Sequence, residues 1–580
     1  MALNDWTNCG FDQEHVAIRY LRHGRFLLVI TLGVLLAAWI QAVWAQGGSG
    51  RGAAPGQATQ SAAAQGPPAQ QTGAAGRGGA RGGGGAGGAA GFYDFDTSAS
   101  AGIAIPDAAP TEAHQKITIN GESLAYTARV GYLPLRNATT GQSVAHLFFT
   151  YYAKDGVADA SVRPVLVFLG GAPGVAATWQ EFGGLGPKRM KWSVDGTAGL
   201  PPYGWVDNPQ TLLDEADLVF VNPLGTAFSR PDQPNRGTEF WTTAADIASL
   251  GEFVRSFAST YGRSNSPLFL AGEDVGTGRA AGLATYLIDH QVPVSGVVLL
   301  SITPSAEAVA GDAQSITLLP SLVLAAWHHK KLAPELQALG AEQVAEQARQ
   351  FASREYLHAL YKGDRMTPDE RTRVVANLLR LTGLSTTFLV NNNLRIPLAR
   401  FTPELLRTER RALSNSDARV AGYVPASGGG GRGGFGGGAP AVAVDYHHAN
   451  LAGGFLTAYE TYLRRDLTFT NANGVFYLSS GGIGTFTSTG SDEASLASAF
   501  ARNPRLRLFV SVNYFDLNAP FYATEFTVAH LNVSPEVRAR NITVRHYEAG
   551  QMAYVDHDAL GRLHADLARF LNGAPSPARQ

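Results

Sequence analysis

Four runs of the chain are almost continuously apolar: PVLVFLG (164–170), ADLVFVNP (216–223), PLFLAG (267–272) and SGVVLLSI (295–302). Runs of that length suit parallel strands covered on both faces. Between them a helical period takes over, with Ile247, Leu250, Phe253, Val254 and Phe257 on one face of 244–260, as in a crossover helix. From 318 to about 420 the strand signal is lost and the pattern is helical, most clearly in ELQALGAEQVAEQARQFASREYLHALY. Strand patterns return at RLFVSVNYFD (507–516) and NITVRHYEAG (541–550), and an amphipathic helix follows at about 557–571. This order predicts an α/β architecture, a mostly parallel doubly wound sheet interrupted by a helical cap insertion.

Two tracts break the pattern. Residues 46–91 are rich in Gly and Ala and nearly devoid of large apolar side chains, so they cannot bury enough surface to fold and are expected to form a disordered linker. The tract PASGGGGRGGFGGGAPA (425–441) has the same character inside the folded region 92–580 and is expected to be a disordered surface loop. Ahead of the linker, Arg19, Arg22 and Arg25 precede an apolar run that ends in Val43-Trp44-Ala45. That layout makes residues 1–45 a secretory signal peptide or, if uncleaved, an N-terminal membrane anchor. Either way the domain is expected to be exported, to a periplasmic or extracellular location.

A formal net charge of -1 with no basic stretch gives no footing for nucleic acid as a partner. The only cysteine, Cys9, lies ahead of the export segment, which excludes an intramolecular disulfide and a cysteine-based metal site. The histidine pairs in HHK (328–330) and DYHH (445–448) lack metal-ligand spacing. They are expected to be solvated, and neither a metal nor another cofactor is expected.

Candidate chemistry centres on AGEDVGTGRAAGLATYL (271–287). A strand ending in G-x-nucleophile-x-G and opening into a helix is a nucleophile elbow, whose small residues permit a turn that lifts one side chain above the sheet. The central residue here is Asp274.

Five segments in order resemble the serine carboxypeptidase family, in particular its bacterial branch. LGGAPGVAATWQEFGGLGPKRM (169–190) is similar to the family's N-G-G-P-G-x-S-S loop, and DLVFVNPLGTAFSR (217–230) to its F-x-D-x-P-x-G-T-G-x-S stretch. The elbow resembles G-E-S-Y-G, with counterparts at Gly272, Glu273, Gly276 and Arg279. VSVNYFDLNAPFYATEF (510–526) and YEAGQMAYVD (547–556) resemble the segments that supply the acid and the histidine. The resemblance spans about residues 115–575 and implies an α/β-hydrolase fold with a helical insertion. It places the triad positions at Asp274, Asp516 and Gln551, and substrate-binding positions at Gly170, Gly171, Ala172, Glu273 and Val275. Gly170 stands where the family has the asparagine that holds the substrate's terminal carboxylate. The family often forms homodimers.

Serine attack on an amide needs a base to take the hydroxyl proton and an acid to return it to the leaving amine. Glutamine can do neither. Removing triad members from serine proteases costs about 10⁶-fold in turnover, so the expected protein is a catalytically degenerate homologue that uses the old cleft to bind a peptide or small molecule. One alternative is a hydrolase in which Asp274 is the nucleophile and a histidine elsewhere, His546 or His557, activates water. The other is an active serine-type carboxypeptidase with a compensated site. In the degenerate reading Asp274 and Asp516 crowd two carboxyls together, which raises at least one pKa. The Gln551 amide can then donate to one or both of them.

Overall fold

The computed structural model describes residues 105–171, 175–193, 197–233, 237–424, 445–470 and 492–573. The chain divides into Met1–Gly87 and Gly88–Gln580, and all the described residues belong to the second unit. The expected leader, the linker and the loop 425–441 therefore lie outside the described residues. Among the described residues, no helix is long and apolar enough to cross a membrane.

Nine strands run edge to edge through one sheet: β1 (Thr111–Ile119), β2 (Glu122–Arg136), β3 (Ser143–Lys154), β4 (Val165–Phe168), β5 (Asp217–Val221), β6 (Leu268–Asp274), β7 (Gly296–Ile302), β8 (Arg507–Asn513) and β9 (Ile542–Tyr547). Their spatial order is β1-β2-β3-β5-β4-β6-β7-β8-β9, with Arg230–Pro231 pairing on β3. From β5 to β9 all neighbours are parallel. β1, β2 and β3 form an antiparallel meander joined to β5, an element that the apolar runs did not announce. Its edge strand β1, TEAHQKITI, alternates polar and apolar residues, because an antiparallel edge tolerates a wetter face.

Successive residues of a strand point to opposite faces, and β6 shows the consequence. Leu268 and Leu270 enter one core with Leu250, Phe253 and Leu283. Phe269 and Ala271 enter the other with Phe455, Tyr459 and Leu563. The first core is covered by α1 (Thr243–Thr260) and α2 (Gly276–Asp289), the second by α4 (Tyr446–Arg465) and α6 (His557–Leu571). Thr242 caps α1, its Oγ1 accepting from Ala245 N at 3.2 Å, and the stripe Leu250, Phe253, Val254, Phe257 is buried as its spacing predicts.

Between β7 and β8 the chain leaves the sheet. It forms α3 (Gly311–His328), further helices at Ala341–Phe351, Pro368–Thr382 and Leu398–Glu404, and a small hairpin, Arg411–Leu413 with Ala421–Tyr423. The helical stretch thus begins before 318 and gives way to strand before 420. α4 and α5 (Asp492–Arg502) follow within the same excursion. This is an α/β-hydrolase fold with its helical excursion placed ahead of β8.

Candidate active site

β6 delivers Asp274 to the tip of the sheet, where the strand turns into α2. Its φ of 51° lies in the left-handed region that a non-glycine residue seldom adopts. The turn is this sharp because its flanks are glycines. A Cβ on Gly272 would lie 2.0 Å from the carbonyl oxygen of Gly276, and one on Gly276 would lie 1.9 Å from that of Gly170. The turn is locked by Thr277 Oγ1, which donates to the Asp274 carbonyl at 2.6 Å, and by Thr303 Oγ1 at 3.2 Å. Arg279, one turn into α2, donates to Asp246 Oδ2 of α1 at 2.6 Å and to the Leu169 carbonyl at 3.3 Å. That buried pair fixes the elbow against the loop after β4.

Burial raises the pKa of the Asp274 carboxyl, while hydrogen bonds from the Val275 N–H and the Gln551 side chain oppose the rise. The Val275 N–H is the backbone donor that an elbow ordinarily offers to an oxyanion. Asp516 follows β8, fully buried. Its Oδ2 accepts from Ser301 Oγ at 2.5 Å, and its Oδ1 accepts from the backbone N–H groups of Asn518 and Ala519 at 2.9 and 3.0 Å. Burial pushes its pKa up to about 7, and the charge of Asp274 adds to the rise. Gln551 is tied by its main chain to the Ser416 carbonyl at 2.7 Å and by its Oε1 to Asn518 Nδ2 at 3.2 Å. The three positions thus come together, with Gln551 reaching Asp274 and with Asp516 satisfied by Ser301 and backbone donors.

Glu273 is 5% exposed. Its Oε2 accepts from Gln180 Nε2 and from Tyr554 OH, both at 2.7 Å, and burial lifts its pKa to about 8. Gly170, with φ of 68°, and Gly171 sit at the end of β4, where Gly171 N donates to the Val175 carbonyl at 3.2 Å. Ala172 lies outside the described residues. Val275 is half-exposed at the start of α2.

A cavity of about 270 Å³ opens at the elbow, and Gly171, Glu273, Asp274 and Gln551 line it. Trp179, Gln180, Asp445, His448, Asn518 and Tyr554 line it too; none was a candidate site residue from sequence, and His448 was expected to be solvated. The Asp445 side chain caps α4 through the His448 N–H at 3.0 Å and also accepts from Ser414 Oγ, Ser416 Oγ and Ser416 N. That cap swings the first turn of α4 onto the elbow. An aspartate directly before a helical pattern is a cap signal legible in DYHH.

The expectation of solvated histidine pairs is corrected. His447 is 8% exposed with Nδ1 3.3 Å from Ser416 Oγ, and burial holds the pKa of His448 down beside Trp179. Burial likewise pushes His328 down to about 4 against Phe515, and His329 Nε2 lies 2.8 Å from the Ala418 carbonyl. All four sit where helices pack on loops, a tertiary burial that adjacency in sequence does not signal. Among the described residues no cluster suited to a metal ion occurs. His546 Nε2 lies 2.6 Å from Glu525 Oε1, which Arg349 also engages at 2.7 Å. His557 is exposed at the start of α6. Neither histidine is among the residues that line the elbow cavity.

Residues 119–293 match the family model described as serine carboxypeptidase. No curated protein sequence matches the chain. Among solved structures, Kex1(delta)p, a prohormone-processing carboxypeptidase from Saccharomyces cerevisiae, is similar in fold. It has a TM-score of 0.50 at 13% identity, over 77% of this chain and 91% of that one. A monoglyceride lipase from Saccharomyces cerevisiae matches at 0.31 and 12% identity, over 77% and 96%. A carboxyl esterase from Bacillus coagulans matches at 0.30 and 9%, over 77% and 98%. Residues 119–293 are thus similar to the serine carboxypeptidase family, and the elbow and the strand order give the chain an α/β-hydrolase fold.

Proposed function

We propose that this protein is an exported, catalytically degenerate member of the family that uses the old cleft for binding. The observation that carries the reading is that Gln551 and Asp274 line one cavity at the elbow. The position that needs a proton-shuttling imidazole holds an amide, and across the cavity lining stands a carboxyl instead of a serine hydroxyl. Release of the C-terminal residue from blocked dipeptides tests it. The chain is expected to be silent, and turnover that disappears in Asp516→Ala sinks the reading. An Asp274→Ser/Gln551→His variant that gains turnover supports the assignment of positions.

A second reading is favoured by one observation: His448 lines the same cavity as Asp274, and burial keeps its ring neutral. In that reading the Asp274 carboxylate displaces a leaving group from an sp³ carbon, and His448 takes the proton of the water that then cleaves the ester.

A further inference from the structure

The elbow cavity has an uneven charge lining. Asp274 and Asp445 contribute carboxylates and Glu273 a carboxyl that burial holds largely neutral, and among the described lining residues there is neither Lys nor Arg. Two acceptor oxygens of deeply buried side chains, Glu273 Oε1 and Gln180 Oε1, have no hydrogen-bond partner, although these residues are only 5% and 2% exposed. Trp179 supplies an aromatic wall, its ring stacked on Phe455 at 4.1 Å and 15°. At the position of the carboxylate-holding asparagine stands Gly170, which has no side-chain donor.

Each feature discriminates between ligands. A carboxylate entering this cavity meets like charge at Asp274 and Asp445, no Lys or Arg, and two unpartnered buried acceptors against one unpartnered buried donor, Trp179 Nε1. An ammonium group brings up to three donors and the complementary charge, and the indole favours a cation at its face. We propose that the cavity receives an organic ammonium group, held by the Asp274 carboxyl beside Trp179. The ligand class is therefore a primary amine, the reverse of the anionic peptide terminus that the family's substrate loop receives. The direction of the Asp274 shift agrees, because a buried carboxyl lacking a cation is held above its ordinary pKa.

This inference rests on the binding reading of the cleft, and three probes of one size separate the two. Hexylamine, sodium hexanoate and hexanamide are titrated into the full chain at neutral pH by calorimetry. Hexylamine is expected to bind about tenfold or more tightly than the other two. Asp274→Asn, which keeps shape and tolerates a positive φ, is expected to weaken it by about tenfold while melting like the parent. Asp274→Ser serves the same purpose if the asparagine variant misfolds. Hexanoate or hexanamide binding as tightly as the amine, and lost in Trp179→Ala, overturns the cation assignment but leaves the cleft a binding site. Amine binding unchanged in both Asp274 variants also overturns it. Silence from all three probes together with dipeptide turnover overturns the binding reading itself.

Discussion

Ser301 Oγ donates to Asp516 Oδ2 at 2.5 Å, so this buried carboxyl is held by a serine at the end of β7 and not by an imidazole. Ser301 stands at a bulge in the β6–β7 pairing with φ of 54°, the backbone kink that turns its hydroxyl toward β8. Ser301→Ala leaves a buried carboxyl oxygen short of a donor. The expected loss is about 1–3 kcal/mol in urea unfolding, and an unchanged midpoint would show that the contact carries no stability.

The approach of Gly276 to Gly170 sets a second expectation. A methyl at Gly276 meets a backbone carbonyl at 1.9 Å, and backbone cannot rotate away as a side chain can. Gly276→Ala is expected to cost about 3 kcal/mol. A thermal melt within a degree of the parent would mean that the elbow yields enough to admit the methyl.

The pH dependence of stability follows from buried carboxyls with raised pKa. Burial lifts Glu181 to about 7 although Tyr152 and Tyr459 donate to it at 2.7 and 2.8 Å. A carboxyl whose folded pKa lies above its unfolded value contributes stability that is complete below the unfolded value and lost as pH rises through the folded one. Glu181 is therefore expected to destabilise the parent between about pH 5 and 8. Glu181→Gln, neutral throughout, should show a flatter fall in melting temperature over that window. Parallel profiles for the two proteins would mean that Glu181 titrates normally.

Covalent chemistry at the elbow separates the two functional readings. Incubation with 1,2-epoxyhexane is expected to leave the intact mass of the chain unchanged, in both the parent and His448→Gln. An adduct on Asp274 that accumulates in His448→Gln and clears in the parent would establish the aspartate as nucleophile and His448 as its base.

The glycine spacing of GEDVG announced the elbow, and the positive φ at Asp274 and the two glycine contacts are its geometric content. The order of apolar runs likewise announced the parallel half of the sheet. The antiparallel meander went unread because its partners are set by pairing across turns and its polar alternation is weak. Gln180, Tyr554 and Trp179 sit among the residues quoted for the resemblance, yet their inward direction depends on the turn at Thr178–Leu185 packing under Tyr554.

What the sequence by itself determined is local. Periodicity, glycine spacing and caps act between residues a few positions apart, and these laid down the strands, the crossover helices and the elbow with an aspartate at its tip. Only the tertiary structure decided the company that aspartate keeps. Ser301, Asn518, Asp445 and His448 come from distant elements, and burial, a property of the assembled core and not of any segment, sets the direction in which Asp274, Asp516 and Glu273 titrate.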